Sequence, residues 1–492
     1  MNPTTLGIDL GTSELKLALL ADDGRLLATA GAPLALARPH PHWAEQHPQD
    51  WWDALVLAAG KLRDRHPEGY SAIQALGLSG QMHGAVLLDA RDEVLRPAIL
   101  WCDTRSGAQC DEMARRLPNL AVIAGNLAMP GFTAPKLLWV EQNEPEIHAR
   151  VAKVLLPKDW LRWRLTGEFI ADMSDAAGTL WLDVGARDWS NALLAAGGMR
   201  PWQMPRLVEG TDVAGHLHAG AARALGLRDG LPVAGGGGDN AASAVGIGAV
   251  EAGQGFLSLG TSGVLFVVSD RYRPNPASAV HTFCHALPGR WHQMSVMLSA
   301  ANCLQWVTRL TGASDEAALL ERVAGLTDAE RDRAPLFLPY LSGERTPHND
   351  PHAKGAFFGM DNDTDAARLG HAVIEGVGFG LADGLQALKA AGTRLERLSL
   401  VGGGARSAHW AQLLADTLDL ELVAVEGSEA GGAMGAARLA WLALGRAERE
   451  ICTSPPVRAS YRPRPARHAA LASRLARFRA LYRQTRELLP RD

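Results

Sequence analysis

The chain has 492 residues, 47% of them hydrophobic and 21% charged, and a formal net charge of −4. That is globular composition at the length of two to four domains, taking ~100–200 residues per domain. It excludes a basic field for nucleic acid or anionic lipid, so any negatively charged ligand has to be met by local donors.

Taken in chain order, Leu6 to Asp9 reads as a strand that runs into the turn Leu10-Gly11-Thr12-Ser13. It starts too near the N-terminus for a charged leader to precede it. Leu15, Leu17 and Leu19 alternate with Lys16 and other residues, which predicts a half-buried returning strand. A helix is expected over Trp51 to Leu62, after Gln49-Asp50. The apolar segment Ala75 to Leu78 leads to Gln81-Met82-His83-Gly84, and Ala98 to Leu100 leads to Trp101, Asp103 and Arg105. His83 is either a hydrogen-bonding partner for a polyol or a histidine satisfied in the core. Trp101 with its two charged neighbours suits a sugar, yet an Asp–Arg pair is equally ordinary. Lys136 and Trp139 carry no physical reading on their own.

Val233-Ala234 then gives way to four glycines, Gly235 to Gly238, before Asp239-Asn240 opens a helical run. An N-cap aspartate explains the position of Asp239. The glycines add a second reading, close approach of a substrate to a carboxylate able to take a hydroxyl proton. Ser258-Leu259-Gly260-Thr261-Ser262 echoes Asp9-Leu10-Gly11-Thr12-Ser13, again with alternating apolar residues after it: Val264, Phe266 and Val268. Two strand–turn–strand units some 250 residues apart predict two similar α/β domains facing one ligand. Asp9 either caps its own turn or holds Mg²⁺, since hard cations prefer carboxylate and water oxygens.

Asp365 precedes a predicted helix over Ala366 to Ala382. Leu400 to Ser407 repeats the strand, glycine-turn, helix plan and could hold an adenosine group; it lacks the GxGxxG spacing, and no GxxxxGK[ST] sequence occurs. Ala433 to Leu444 and the basic stretch His468 to Leu489 complete the helices, the last packed by Leu471, Leu475, Phe478 and Leu481. Five cysteines, an odd count with no CxxC pair in a large chain, argue against a disulfide framework or zinc site and for reduced thiols in the cytoplasm. No apolar run approaches the ~18 residues of a membrane span.

In their joint order these segments resemble the FGGY family of carbohydrate kinases. The two Gly-Thr turns resemble its phosphate loops, Gly402 to Ala405 its adenosine motif, and Gly131 to Asn143 and Gly355 to Gly359 its two signature regions. The likeness runs from about residue 6 to about residue 445. It implies the actin-like ATPase fold of two ribonuclease H-like domains around a central cleft, at residues 1–245 and 246–492. Gln81 to Gly84, Pro130 to Lys136, Ser174 to Thr179 and Leu341 to His348 resemble the members of the family that act on D-xylulose. The resemblance implies that Met82, His83, Asp239 and Asn240 contact the sugar, with Asp239 as proton acceptor. Asp9 would support Mg²⁺ and ATP. Thr12, Ser13 and Lys16 would border the transferred phosphate, with Gly260 and Thr261 opposite; Gly403, Gly404 and Ser407 would flank the nucleotide. Ser407 departs from the family's pattern, in which another small polar residue is common. A cytoplasmic homodimer with no nucleic-acid or membrane partner is expected. The competing readings are the same chemistry on ribulose, gluconate, glycerol or a deoxy-ketose, an actin- or chaperone-like conformational ATPase, and a sugar-binding regulator without catalysis. Asp239-Asn240 disfavours the second, and the presence of both aspartates disfavours the third.

Overall fold

The first strand shows how the sequence builds the molecule. In β1 (Thr4–Leu10), Leu6, Ile8 and Leu10 point one way into an apolar core, and the alternate residues Thr5, Gly7 and Asp9 point the other. The core side is closed by α1 (Pro48–Arg65) through Trp51, Leu55 and Leu62. This architecture comes from a computed structural model that describes residues 2–427 and 431–489.

β1 pairs antiparallel with β2 (Glu14–Ala21), which pairs antiparallel with β3 (Leu26–Pro33). On its other edge β1 runs parallel to β4 (Ile73–Gly80). Helices α2 (Thr133–Asn143) and α3 (Pro157–Thr166) follow in the chain. The sheet is completed by β5 (Val213–His216) and β6 (Pro232–Ala234), in the order β5-β6-β4-β1-β2-β3, while the short β7 (Gly237–Gly238) also pairs with β4. Helix α4 (Asp239–Gly246) leaves directly from β7.

The second half repeats this plan. Its sheet has the order β10-β11-β9-β8-β12-β13-β14, comprising β8 (Gly255–Leu259), β9 (Gly263–Ser269), β10 (His281–Cys284), β11 (Trp291–Met297), β12 (Arg397–Val401), β13 (Glu421–Val425) and β14 (Val457–Tyr461). Read outward from the turn hairpin, both sheets show the same pairings. The hairpin partner and the next strand are antiparallel, two strands on the other side are parallel, and a last one is antiparallel. The five-residue echo is therefore the visible trace of a duplicated architecture. Around the second sheet lie α5 (Ala366–Ala390), α6 (Ala408–Leu418), α7 (Gly431–Ala443) and α8 (Pro465–Thr485).

Two departures from the sequence reading have physical causes. The alternation in β2 fails after Lys16, with Ala18, Leu19 and Leu20 all buried, because a second helix covers the outer face. That helix is α7, which comes from the second half of the chain yet packs on the first sheet: Trp441 and Ala437 share a cluster with Leu20, and Thr5 donates to the Ala437 carbonyl at 2.9 Å. The second departure is at α8. Leu471, Phe478 and Leu481 are buried as expected, but so is Arg474, which pairs with Glu375 of α5 at 2.6 Å.

The seat of α7 requires the absence of side chains. A Cβ on Gly7 would lie 1.9 Å from the Ala433 carbonyl oxygen, and one on Gly435 would lie 1.7 Å from that of Ala242 in α4. Gly435→Ala is expected to lower unfolding free energy by ~3 kcal/mol or more, the upper end for overpacking. Gly60→Ala in α1, where a Cβ meets open space, is expected to be neutral or stabilising by up to ~1 kcal/mol. Urea titration of both variants distinguishes them; equal midpoints would contradict the backbone contact.

Candidate active site

Strand alternation delivers Asp9 to the cleft. It ends the row Thr5, Gly7, Asp9, and beyond it Gly432, at the start of α7, sits so close that a Cβ there would be 2.7 Å from the carboxylate. Ser79 is its register partner on β4. Asp9 Oδ1 is buried and has no hydrogen-bond partner. Burial holds its carboxyl above the ordinary value, partly offset by Ser79 and the Lys16 ammonium. A buried acceptor left without a donor is costly, and it fits a cation.

The turn after β1 is braced from several sides. Thr12 Oγ1 donates to Gln81 at 3.0 Å and accepts from the Trp101 indole at 2.9 Å, while Gln46 donates to the Thr12 carbonyl at 2.7 Å. The backbone carbonyl of Ser13 accepts from Leu34 at 2.8 Å. The second turn is held by Ala300 and Ala301, whose N–H groups donate to Thr261 and Gly260.

Asp239 arrives by the glycine run. Gly236 has φ +78°, and a Cβ there would sit 2.1 Å from the Leu78 carbonyl oxygen. A Cβ on Gly238 would strike the Met82 side chain at 2.9 Å. The N-cap is Gly238, so Asp239 is the first helical residue and its carboxylate is not spent on capping; Oδ1 accepts from the Asn240 N–H at 2.7 Å and side-chain amide at 2.9 Å. Its carboxyl is pushed up to about 6, first by burial and then by the charge of Asp9, with Asn240 partly opposing. The two aspartates thus share one electrostatic environment.

Met82 and His83 flank this point. His83 has φ +71°, a conformation uncommon for a non-glycine residue. Lys136 explains how it is held: its buried ammonium donates to the carbonyls of His83 and Gly131, both at 2.8 Å, and Thr133 donates to the same His83 carbonyl. Burial pulls the His83 ring down to about 3, so it stays neutral. Nδ1 lies 2.6 Å from the Gly178 carbonyl, which can only accept. The proton is therefore on Nδ1, and Nε2 is left as an acceptor for a hydroxyl. Phe132 lies against the ring at 4.5 Å between centroids.

Two cavities lie on the second half's side. One of about 740 Å³ is lined by Gly260, Thr261, Gly403, Gly404 and Ser407 with Leu304 and Leu320. The other, about 410 Å³, brings Lys16 and Asn240 from the first half against Gly402 and Gly403. Gly403 borders both, and a Cβ on it would meet nothing within 4 Å. Ser407 caps α6 through Oγ, accepting from the Trp410 N–H at 3.2 Å, and its wall of the cavity is the start of that helix. The structure thus gathers Asp9, Asp239, Asn240, Met82 and His83 at one end and Gly260, Thr261, Gly403, Gly404 and Ser407 at the other. Lys16 lies between, beside the Thr12-Ser13 turn.

Sequence reasoning missed Gln81, Lys136 and Gly178 as supports, because their partners are remote in the chain. It also left Asp103 and Arg105 open as a sugar site. Both side chains are inside, paired at 2.6 Å, with Arg105 also 2.8 Å from Glu45 and 3.5 Å from the Trp43 ring centroid; their role is structural. Trp101 remains 47% exposed.

Residues 4–246 match the N-terminal domain, and residues 255–444 the C-terminal domain, of the FGGY family of carbohydrate kinases. The chain belongs to that family. This kinase is 51% identical to the xylulose kinase of Escherichia coli (strain K12) over 488 residues, 99% of each chain. It is 49% identical to that of Klebsiella pneumoniae, over 98% of this chain and 99% of the relative. Among solved structures, a xyloylose kinase from Brucella ovis superposes with a TM-score of 0.95 at 48% identity, covering 99% of this kinase and all of that chain. The two-domain fold expected from the resemblance is the fold observed. Among the described residues no helix is long and apolar enough to cross a membrane.

The coupling of the two carboxylates gives a titration test. Difference infrared spectroscopy of the ligand-free protein, referenced to Asp239→Asn, is expected to place the Asp239 midpoint near 6. In Asp9→Asn one negative neighbour is gone, the ionised form of Asp239 is favoured, and the midpoint moves down. An unchanged midpoint would contradict the shared environment.

Proposed function

We propose that this kinase transfers the γ-phosphoryl group of ATP to the terminal hydroxyl of D-xylulose, giving ADP and D-xylulose 5-phosphate. The observation that supports the chemistry is the Asp239 carboxylate itself, one residue after Gly238, which packs on Met82, with Asp9 near enough to help raise its pKa to about 6. The choice of sugar is supported by the 51% identity across whole chains to a xylulose kinase.

In this reading Thr12, Ser13 and Thr261 offer backbone N–H groups to phosphate oxygens, the Gly260 N–H being held by the Ser262 carbonyl, and Lys16 adds a charge. Hydrogen-bond donors held in place before the reaction act without reorganisation cost. The adenosine group occupies the cavity between Gly403, Gly404 and Ser407 and the Leu304–Leu320 wall. The Asp9 carboxylate, with its unpartnered Oδ1, would hold Mg²⁺, whose charge offsets that of the phosphates when bound. His83 Nε2 accepts a hydrogen bond from a sugar hydroxyl, and Asn240 supplies a further polar contact. Asp239, ionised above its raised pKa, takes the proton of the attacking hydroxyl. The oxygen forms the new bond to the γ-phosphorus as the bond to ADP breaks, and the bonding pair leaves on the ADP oxygen. A positioned base of this kind contributes typically ~10²–10⁴ in rate.

We place the reaction in the cytoplasm, consistent with five free cysteines of which four are buried, and in a homodimer, which rests on family resemblance.

The substrate is tested by ADP release across D-xylulose, L-ribulose, gluconate, glycerol and a deoxy-ketose. D-xylulose is expected to give the highest kcat/KM. Analogues lacking a hydroxyl that His83 or Asn240 pairs should fall by roughly 10⁴-fold, the scale for a polar site left unpaired. A higher kcat/KM for any other sugar would overturn the assignment while leaving the kinase chemistry intact.

A further inference from the structure

Next to the glycine run lies a group of charges for which phosphoryl transfer, as described, has no use. Helix α3 carries Lys158, Asp159 and Arg162 into the interior, and all three side chains are fully buried. They meet Asp172, Ser174 and Asp175, equally buried, at the start of the Ser174–Thr179 segment that stood out in the sequence. Lys158 Nζ is 2.5 Å from Asp159, 2.8 Å from Asp172 and 3.4 Å from Asp175. Among the described residues these carboxylates form the one trio close enough to gather round a metal ion. The Lys158 ammonium already stands among them as the cation.

Burying so many charges is expensive, and well-packed apolar residues would serve stability as well or better. The network's outward bonds show what it holds. Arg162 Nη1 donates to the carbonyl of Gly235, and Ser174 Oγ accepts from the Gly238 N–H at 3.0 Å while donating to Asp172 at 2.5 Å. Both ends of the four-glycine run therefore hang from one buried network, and the next residue is Asp239. Four residues on from Ser174, the Gly178 carbonyl fixes the His83 ring. A glycine run has no side chains with which to anchor itself and more conformations to lose than any other, so its geometry has to be imposed from outside.

We propose that Lys158, Arg162, Asp172 and Ser174 are positioning residues, which clamp the Gly235–Gly238 run and so fix the Asp239 carboxylate relative to His83 and the sugar. The proposal rests on the reading of Asp239 as the base. A misplacement of about 1 Å at a reacting group costs about 10²-fold, so loosening one clamp acts on kcat more than on binding.

Steady-state kinetics of the full chain with D-xylulose and Mg²⁺–ATP test this, alongside thermal melting. Ser174→Ala removes the acceptor for the Gly238 N–H and leaves Lys158 with all its carboxylates. It is expected to lower kcat about tenfold or more, with both KM values within about twofold of wild type and a near-native melting temperature. Arg162→Lys keeps the charge but loses the fork that reaches Gly235, and the same signature is expected; if it does not fold, Ser174→Ala decides alone. A wild-type kcat in Ser174→Ala, or a loss seen only in KM or in the amount of folded protein, overturns the proposal. Asp239→Ala in the same series separates the two levels. Undiminished turnover there would sink the reading of the base, whereas an inactive Asp239→Ala beside a fully active Ser174→Ala would sink only the clamp.

Discussion

Two half-buried carboxylates that share one electrostatic environment are the constraint on which the rest of this molecule depends. Asp9 and Asp239 each resist ionisation through burial, and the charge of Asp9 adds to the resistance of Asp239. Such an arrangement is unfavourable for a resting protein, and it persists only where the surrounding structure over-determines it. Much of the unusual chemistry of the sequence then has a reason. Gly432 comes within contact of the Asp9 carboxylate, Asn240 satisfies part of Asp239, and Asp9 Oδ1 is left without a partner in the protein.

The duplicated sheets supply the geometry of that ligand. Each presents a strand–turn–strand hairpin at the same place in its order, and Lys16 of the first hairpin lines one cavity together with Ser258 of the second. Helix α7 crosses the division: it follows β13 of the second sheet yet lies on β1, β4 and α4 of the first through Gly and Ala contacts. Near His83 the halves are joined by a shared core containing Phe132, Phe266 and Phe283. The end around Gly403 is left as two cavities, one of which is lined by residues of both halves.

Much of this was legible in the sequence because it rests on local rules. The alternation of Leu15 and Leu17, the Gly-Thr turns and the helical spacing around Leu369 and Val377 are fixed by neighbours a few residues away. Asp9 stood out at the end of a strand before a glycine turn, and Asp239, Met82 and His83 because each follows a strand at a glycine or polar turn. What was not legible depends on contacts remote in sequence. The tautomer of His83 is set by Gly178, 95 residues on. The buried place of Arg105 depends on Glu45 and Trp43, and the seat of α7 on Gly7, on the order of 430 residues earlier. Nothing in the local sequence marks Lys158 and Arg162; only the fold turns them inward.

The central claim is that Asp239 receives the proton of the sugar hydroxyl that is phosphorylated. A crystal structure of the full chain with D-xylulose and a non-hydrolysable ATP analogue tests it most directly. The terminal hydroxyl oxygen is expected within about 2.6–3.2 Å of the Asp239 carboxylate and facing the γ-phosphorus, with His83 Nε2 on another hydroxyl. A sugar bound with that hydroxyl turned away from Asp239, or against a different carboxylate, would contradict the account.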